Sequence, residues 1–224
     1  MGNNFYDTVY YGKTDEDITK KKIRKDLVRE NTFYKNILCP QAGTKLLDLG
    51  CGGGIYLKML ADTDAELWGI DISENAVSIA RQRMKKPDQI ICADADPLPF
   101  DSDEFDYVSA WGTVEHFISV SSILKEIKRV LKPGGKAVIS VPNVYYYKYI
   151  WDTLRKGTGP VKHQEPEVLY SFREWKGIIE KAGLEVIRKF RHNKFVQPRF
   201  MIWLRSIFIP FYLSNHFIFV CTKK

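Results

Sequence analysis

Lys45-Leu46-Leu47-Asp48-Leu49-Gly50-Cys51-Gly52-Gly53-Gly54 is the stretch on which the fold turns. An apolar run ends in a carboxylate and then breaks into four glycines within five residues. Glycine opens backbone conformations closed to other residues and lets the main chain approach a ligand with no Cβ in the way. The apolar run therefore reads as a buried strand, and Ile55-Tyr56-Leu57-Lys58-Met59-Leu60-Ala61 reads as the helix that follows it. Strand, glycine turn and helix N-terminus together predict a pocket of backbone N–H donors suited to a nucleotide-like ligand.

Working outward, Glu66-Leu67-Trp68-Gly69-Ile70-Asp71-Ile72-Ser73 predicts a second strand ending at Asp71, with Ser73 capping a helix over 74–86. Asp71 lies 21 residues after Gly50. A carboxylate at the tip of a second strand can accept both hydroxyls of a ribose diol, and a turn residue is the plainer alternative. Ile72 would then lie against the base. Residues 89–95 predict a third strand and a polar turn, and Phe105–Trp111 a fourth strand leading into Gly112-Thr113-Val114-Glu115-His116. Ligands of open α/β sheets sit beyond the carboxyl ends of strands, so the loop after Trp111 is where chemistry is expected. A helix over 119–131 carries Ile123, Leu124, Ile127, Val130 and Leu131 as an apolar stripe. Leu131-Lys132-Pro133-Gly134-Gly135 stops it, and Lys136–Pro142 is a fifth strand. Ser171-x-x-Glu174 caps a further helix closed by Gly183. Sixth and seventh strands begin at Leu184 and Phe217.

The spacing at the turn discriminates between cofactors. A dinucleotide fold wants G-x-G-x-x-G, and its third glycine falls here on Ile55. Gly50-x-Gly52-x-Gly54 after Asp48 instead resembles motif I of the class I S-adenosylmethionine (SAM) dependent methyltransferases. Pro97-Leu98-Pro99-Phe100 followed by Asp101, Val114-Glu115-His116 and the Leu131–Gly135 segment also resemble that family, the second in its small-molecule, ubiquinone-biosynthesis branch. The likeness covers roughly residues 40–192 and 215–224.

The resemblance implies a Rossmann-like α/β fold: a seven-stranded, mostly parallel sheet in the order 3-2-1-4-5-7-6, helices on both faces, and an antiparallel last strand. It implies SAM as cofactor and S-adenosylhomocysteine (SAH) as product. The implied cofactor-binding residues are Asp48, Gly50, Cys51, Gly52 and Gly54 at the turn, Asp71 and Ile72 at the ribose and base, Asp94 and Ala95 at the adenine edge, Trp111 beside the methyl, and Tyr11 from an N-terminal segment folding over the cofactor. His116 is the leading proton acceptor, followed by Glu115 and His163. A metal site is not expected, since Glu115 and His116 lack a third ligand. The Asn/Asp-Pro-Pro-aromatic motif of base N-methylases is absent after the fourth strand, which argues against that nucleic-acid chemistry.

At 224 residues with 45% hydrophobic content, the chain reads as one domain, residues 1–224, with additions. These are an N-terminal helical cap over 1–40, whose helix is expected at 14–38, and two acceptor-side insertions at 143–167 and 195–214. The first insertion holds Tyr145, Tyr146, Tyr147, Tyr149 and Trp151 beside Lys156, Lys162 and His163. The second crowds apolar residues around Arg199 and Arg205, and 198–213 reads as a cover, a dimer contact or a peripheral membrane contact. Four scattered cysteines form no metal or disulfide framework and suit a cytoplasmic setting. Charge is divided: +2 over residues 1–40, −8 over 41–116 and +13 over 117–224. The expectation is methyl transfer to a small or amphiphilic acceptor by a monomer or homodimer. An RNA-modifying methyltransferase is the alternative suggested by the basic half, and a non-catalytic SAM-binding protein or a nicotinamide oxidoreductase are the others. Acceptor and methylated atom are not legible.

Overall fold

A computed structural model describes residues 33–157, 167–192 and 210–224. The strands are β1 (Lys45–Leu49), β2 (Glu66–Asp71), β3 (Ile90–Cys92), β4 (Phe105–Trp111), β5 (Leu131–Pro142), β6 (Leu184–His192) and β7 (His216–Lys223). They form one sheet in the order β3-β2-β1-β4-β5-β7-β6. β7 runs antiparallel to both neighbours and the other pairs are parallel. The order expected from the family resemblance is thus the one found.

The helices are α1 (Ile55–Leu60), α2 (Glu74–Arg83), α3 (Val120–Val130), α4 (Tyr147–Lys156) and α5 (Phe172–Lys181). Two apolar clusters lie on opposite faces of the sheet. One joins the stripe Ile123, Leu124 and Ile127 of α3 to Trp175 and Ile179 of α5 and to alternate residues of β4, β5 and β7. The other packs Tyr56, Leu57 and Leu60 of α1 and Val77 and Ala80 of α2 against β1, β2 and Val138. A parallel sheet covered on both faces needs apolar strands throughout, and β1 has that character.

Local signals explain the boundaries. Ser73 accepts from the Ala76 N–H at the start of α2, and α5 opens on the full Ser171–Glu174 capping box and is followed by Gly183 at φ 88°. α2 stops at Arg83 rather than running to 86, because a residue before proline avoids the helical region and Pro87 follows closely. β3 is shorter than expected, three residues. β5 begins earlier than Lys136: Leu131 already pairs with Phe105, and pairing resumes at Lys136 beyond the glycine turn. Of the helix expected over 14–38, residues 33–38 are described and helical. Tyr11, His163 and residues 195–209 of the second insertion lie outside the described residues.

Candidate active site

Three parallel strands deliver their last residues to one place. β1 ends at Leu49, β2 at Asp71 and β4 at Trp111, with β1 between the other two. The chain leaves β1 through Gly50 at φ 69°, Gly52 at 50° and Gly54 at 71°, conformations that cost an L side chain about 1–2 kcal/mol each. Gly50 is also constrained sterically, since a Cβ there would lie 2.5 Å from Thr113 Oγ1 in the loop after β4. The turn and the β4 loop are thus in direct contact.

The turn's donors are used differently from the expectation. The Gly50 and Cys51 N–H groups donate to the Ile70 carbonyl at 2.8 and 3.0 Å, and that of Gly54 to Cys51. The Gly52 N–H donates to Asp71 Oδ2 at 2.8 Å, and the Ser73 N–H to Asp71 Oδ1 at 3.0 Å. Much of the donor set closes the turn and holds Asp71 over it. What Gly50, Gly53 and Gly54 supply is close packing, since a Cβ at each would collide with Thr113, Arg83 or Ala80.

Asp48 is buried within β1, and Ser109 Oγ of β4 donates to its Oδ1 at 2.7 Å. Burial pushes its carboxyl up to about 7, the Ser109 hydrogen bond opposes this, and the nearby Asp71 charge adds to it. Cys51 is buried and its thiol is held in the neutral form by burial and by the two aspartates. Ile72 is half-buried next to Asp71. Beyond β3, the Ala93 N–H donates to the Asp71 carbonyl, so the segment with Asp94 and Ala95 departs from beside Asp71. Asp94 is exposed and accepts from the Asp96 N–H at 3.2 Å, while the Ala95 side chain is in the core.

Around the end of β4 lies the least satisfied polar chemistry among the described residues. Trp111 Nε1, Tyr56 Oη and Glu115 Oε2 are each buried without a hydrogen-bond partner. The Trp111 ring is 5.3 Å from that of Tyr56 and 4.3 Å from that of Tyr34, in the helical turn over residues 33–38. Glu115, 3% exposed, sits in a single 3-10 turn, Val114–His116, and its backbone carbonyl accepts from the Val168 N–H. Burial, with a contribution from Glu167, raises its carboxyl to about 8. His116 is half-buried in the same turn, its N–H donating to the Thr113 carbonyl. Buried polar groups are nearly always paired, so three orphans about one strand end mark a place built for something else. No group of three metal-type side chains is found among the described residues.

The structure therefore brings together Asp48, the glycine turn, Asp71, Trp111, Glu115 and His116. Ser109, Thr113, Tyr56 and Tyr34 were not legible as site residues. Ser109 faces Asp48 only through the β1–β4 register, and Tyr34 reaches Trp111 across the fold; neither relation leaves a spacing signal.

The sequence matches the model of the methyltransferase domain family over residues 47–139. It is 32% identical over 166 residues to the demethylmenaquinone methyltransferase of Bacillus subtilis, an alignment covering 66% of this chain and 71% of that one. It is 29% identical over 178 residues to the sterol 4-C-methyltransferase strm-1 of Caenorhabditis elegans, covering 71% of this chain and 53% of the relative. The solved phosphoethanolamine N-methyltransferase 2 of Haemonchus contortus, in complex with S-adenosyl-L-methionine, shares the fold at a TM-score of 0.70 and 20% identity, over 99% of this chain and 59% of that one. The bacterial relative, above 30% identity and matched over most of its length, carries the assignment, and the sheet order agrees with it: this chain belongs to the class I SAM-dependent methyltransferases.

Proposed function

We propose that this chain transfers the methyl group of SAM to a small, lipid-like acceptor bound at the carboxyl edge of β4 and β5, within a single domain whose 143–167 segment forms the acceptor side. The observation that carries the placement is the trio of buried, partnerless polar atoms around the end of β4. The lipid-like class is supported by relatives named for demethylmenaquinone and for a sterol.

The residues fit the cofactor. The glycines at 50 and 54 let the turn pack directly on Thr113 and on Ala80 of α2, where a Cβ would collide, Asp71 is held at the turn to receive a ribose diol, and Ile72 and the Asp94–Ala95 segment follow the ends of β2 and β3 toward the base. Asp48, buried, gains its charge readily when a cationic group is nearby. SAM supplies a methyl on a sulfonium, already activated for displacement.

The chain's own residues must align the acceptor, and alignment alone can contribute about 7–11 kcal/mol to a barrier. Trp111 and Tyr56 offer a donor N–H and a hydroxyl without competing partners. Glu115 retains its proton at neutral pH, so it donates to an acceptor oxygen rather than removing a proton there. His116, one residue on, is the side chain to take the proton that an oxygen or nitrogen acceptor releases.

Calorimetry with SAM and SAH tests the cofactor half: binding is expected, with Asp71→Ala weakening it at least about tenfold. Absence of binding in the wild type, or an unchanged Asp71→Ala affinity, overturns the site. Methyl-labelled SAM with a quinol, a sterol and an amino alcohol tests the acceptor half. Label that enters only the amino alcohol refutes the lipid-like class.

A further inference from the structure

α4 is an amphipathic helix presented the wrong way round for packing. Tyr147, Ile150, Trp151 and Leu154 recur at i, i+3, i+4 and i+7, one stripe of a helix. Such a stripe normally faces the core. Here α4 contributes no buried residue, and Ile150, Trp151 and Leu154 are 37%, 63% and 79% exposed. Tyr149 and Asp152, on the other side of the helix, are half-buried, as is Tyr147 at the start of the stripe, and burial and Glu167 push the Tyr149 hydroxyl up. The helix thus rests on its more polar side and turns its apolar side outward.

Most of the other exposed large apolar side chains among the described residues lie at the same end of the sheet, with Ile187 in the middle of β6 the exception. Ile118, 98% exposed, follows the end of β4, and Tyr145, 55% exposed, follows β5. Tyr212, 52% exposed, lies just before the end of β7 that faces Pro142, and its carbonyl accepts from Asn143 Nδ2. This is the edge at which the site lies.

We infer that α4 and this rim form a docking surface for an anionic lipid bilayer, with α4 lying in the membrane interface. Charge selects this occupant. Lys148 and Arg155 flank the stripe and are exposed, Lys156 follows, and residues 117–224 carry a balance of +13. Lysine is depleted in interfaces between proteins, whereas exposed apolar and aromatic residues beside lysine and arginine are the make-up of helices that lie on membranes. Trp and Tyr rings favour the boundary between headgroups and acyl chains. No helix among the described residues is long and apolar enough to cross a membrane, so the contact is peripheral. The inference deepens the lipid-like reading of the acceptor, since the rim surrounds the acceptor side.

The test is co-sedimentation of the full chain with vesicles of phosphatidylcholine, and of phosphatidylcholine with about 30% phosphatidylserine, a level giving a negative surface potential. Binding is expected on the anionic vesicles. Trp151→Asp combined with Leu154→Asp should lower it at least about a hundredfold, tenfold per anchor. Lys148→Glu combined with Arg155→Glu should abolish the preference for phosphatidylserine. Trp151→Phe should keep binding but remove most of the blue shift in tryptophan emission. All these positions are exposed, so unchanged thermal unfolding is expected and is checked alongside. SAM calorimetry on each variant should match wild type, which separates failure of docking from failure of the cofactor site. The inference is overturned if wild type binds neither vesicle or the double aspartate variant binds as wild type. It is equally overturned if that variant converts a dimer to a monomer with no vesicle binding in either form, which would make the face a contact between copies.

Discussion

Glu115→Gln is the perturbation with the largest calculable consequence. The native carboxyl is buried, one oxygen lacks a partner, and its proton is held up to about 8 against an ordinary value of 4.5. Between those values the native state keeps a proton that the unfolded chain has released. The unfolded state binds fewer protons, so stability falls as pH rises. At 1.36 kcal/mol per pH unit, the interval from 4.5 to about 8 corresponds to about 5 kcal/mol. The stabilising preference for the acid is fully present below pH 4.5 and is lost by the time pH passes about 8. Glutamine is neutral throughout and removes this slope, while its amide leaves a new donor to satisfy at a cost of about 1–3 kcal/mol. The stability curves should therefore cross, with wild type more stable near pH 5 and Glu115→Gln more stable near pH 9. For a chain of this size the wild-type decline corresponds to about 10–20 °C in melting temperature. Urea unfolding at intervals from pH 5 to 9 reads it directly. Parallel curves for the two proteins would refute the reasoning. Asp48 adds a similar slope between 3.8 and about 7, common to both proteins, so it does not affect their difference.

Gly50→Ala should cost about 2–5 kcal/mol, from the left-handed backbone and the collision with Thr113. Gly134→Ala, at φ 75° with nothing within 4 Å of the added Cβ, should cost only the backbone part, and comparing the two melting temperatures isolates the collision. Asp71→Asn removes the charge that accepts from the Gly52 and Ser73 N–H groups and should cost about 1.5–3 kcal/mol in denaturant unfolding even without ligand. With the Asp48 carboxyl near 7, binding of a cationic cofactor beside it should release a fraction of a proton at neutral pH. Calorimetry in buffers of different ionisation enthalpy should show that release in wild type and its absence in Asp48→Asn.

How far such a site can be read in advance depends on whether its parts are local. The strand–glycine–helix turn is local: the same ten residues carry the apolar run, the carboxylate and the conformational freedom. Asp71 is nearly so, because one crossover helix separates adjacent parallel strands and carries it from the turn to the tip of β2. The helix caps at Ser73 and Ser171 were legible for the same reason, each bonding within three residues.

Asp48 illustrates the other kind. Its place in the chain was evident, but its buried, proton-holding state is set by Ser109 and Asp71, which reach it through the β1–β4 and β1–β2 registers. The partnerless Trp111, Tyr56 and Glu115 converge from a strand, a helix and a 3-10 turn. The direction of α4 is likewise invisible in its spacing, because an amphipathic stripe looks the same whether it faces a core or a bilayer. The sequence by itself determined the order of elements, the glycine turn and the cofactor class, since those rest on contacts between near neighbours in the chain. Only the tertiary structure decided which polar groups lie buried and unpaired and which apolar face stays outside, because both depend on what distant segments bring alongside.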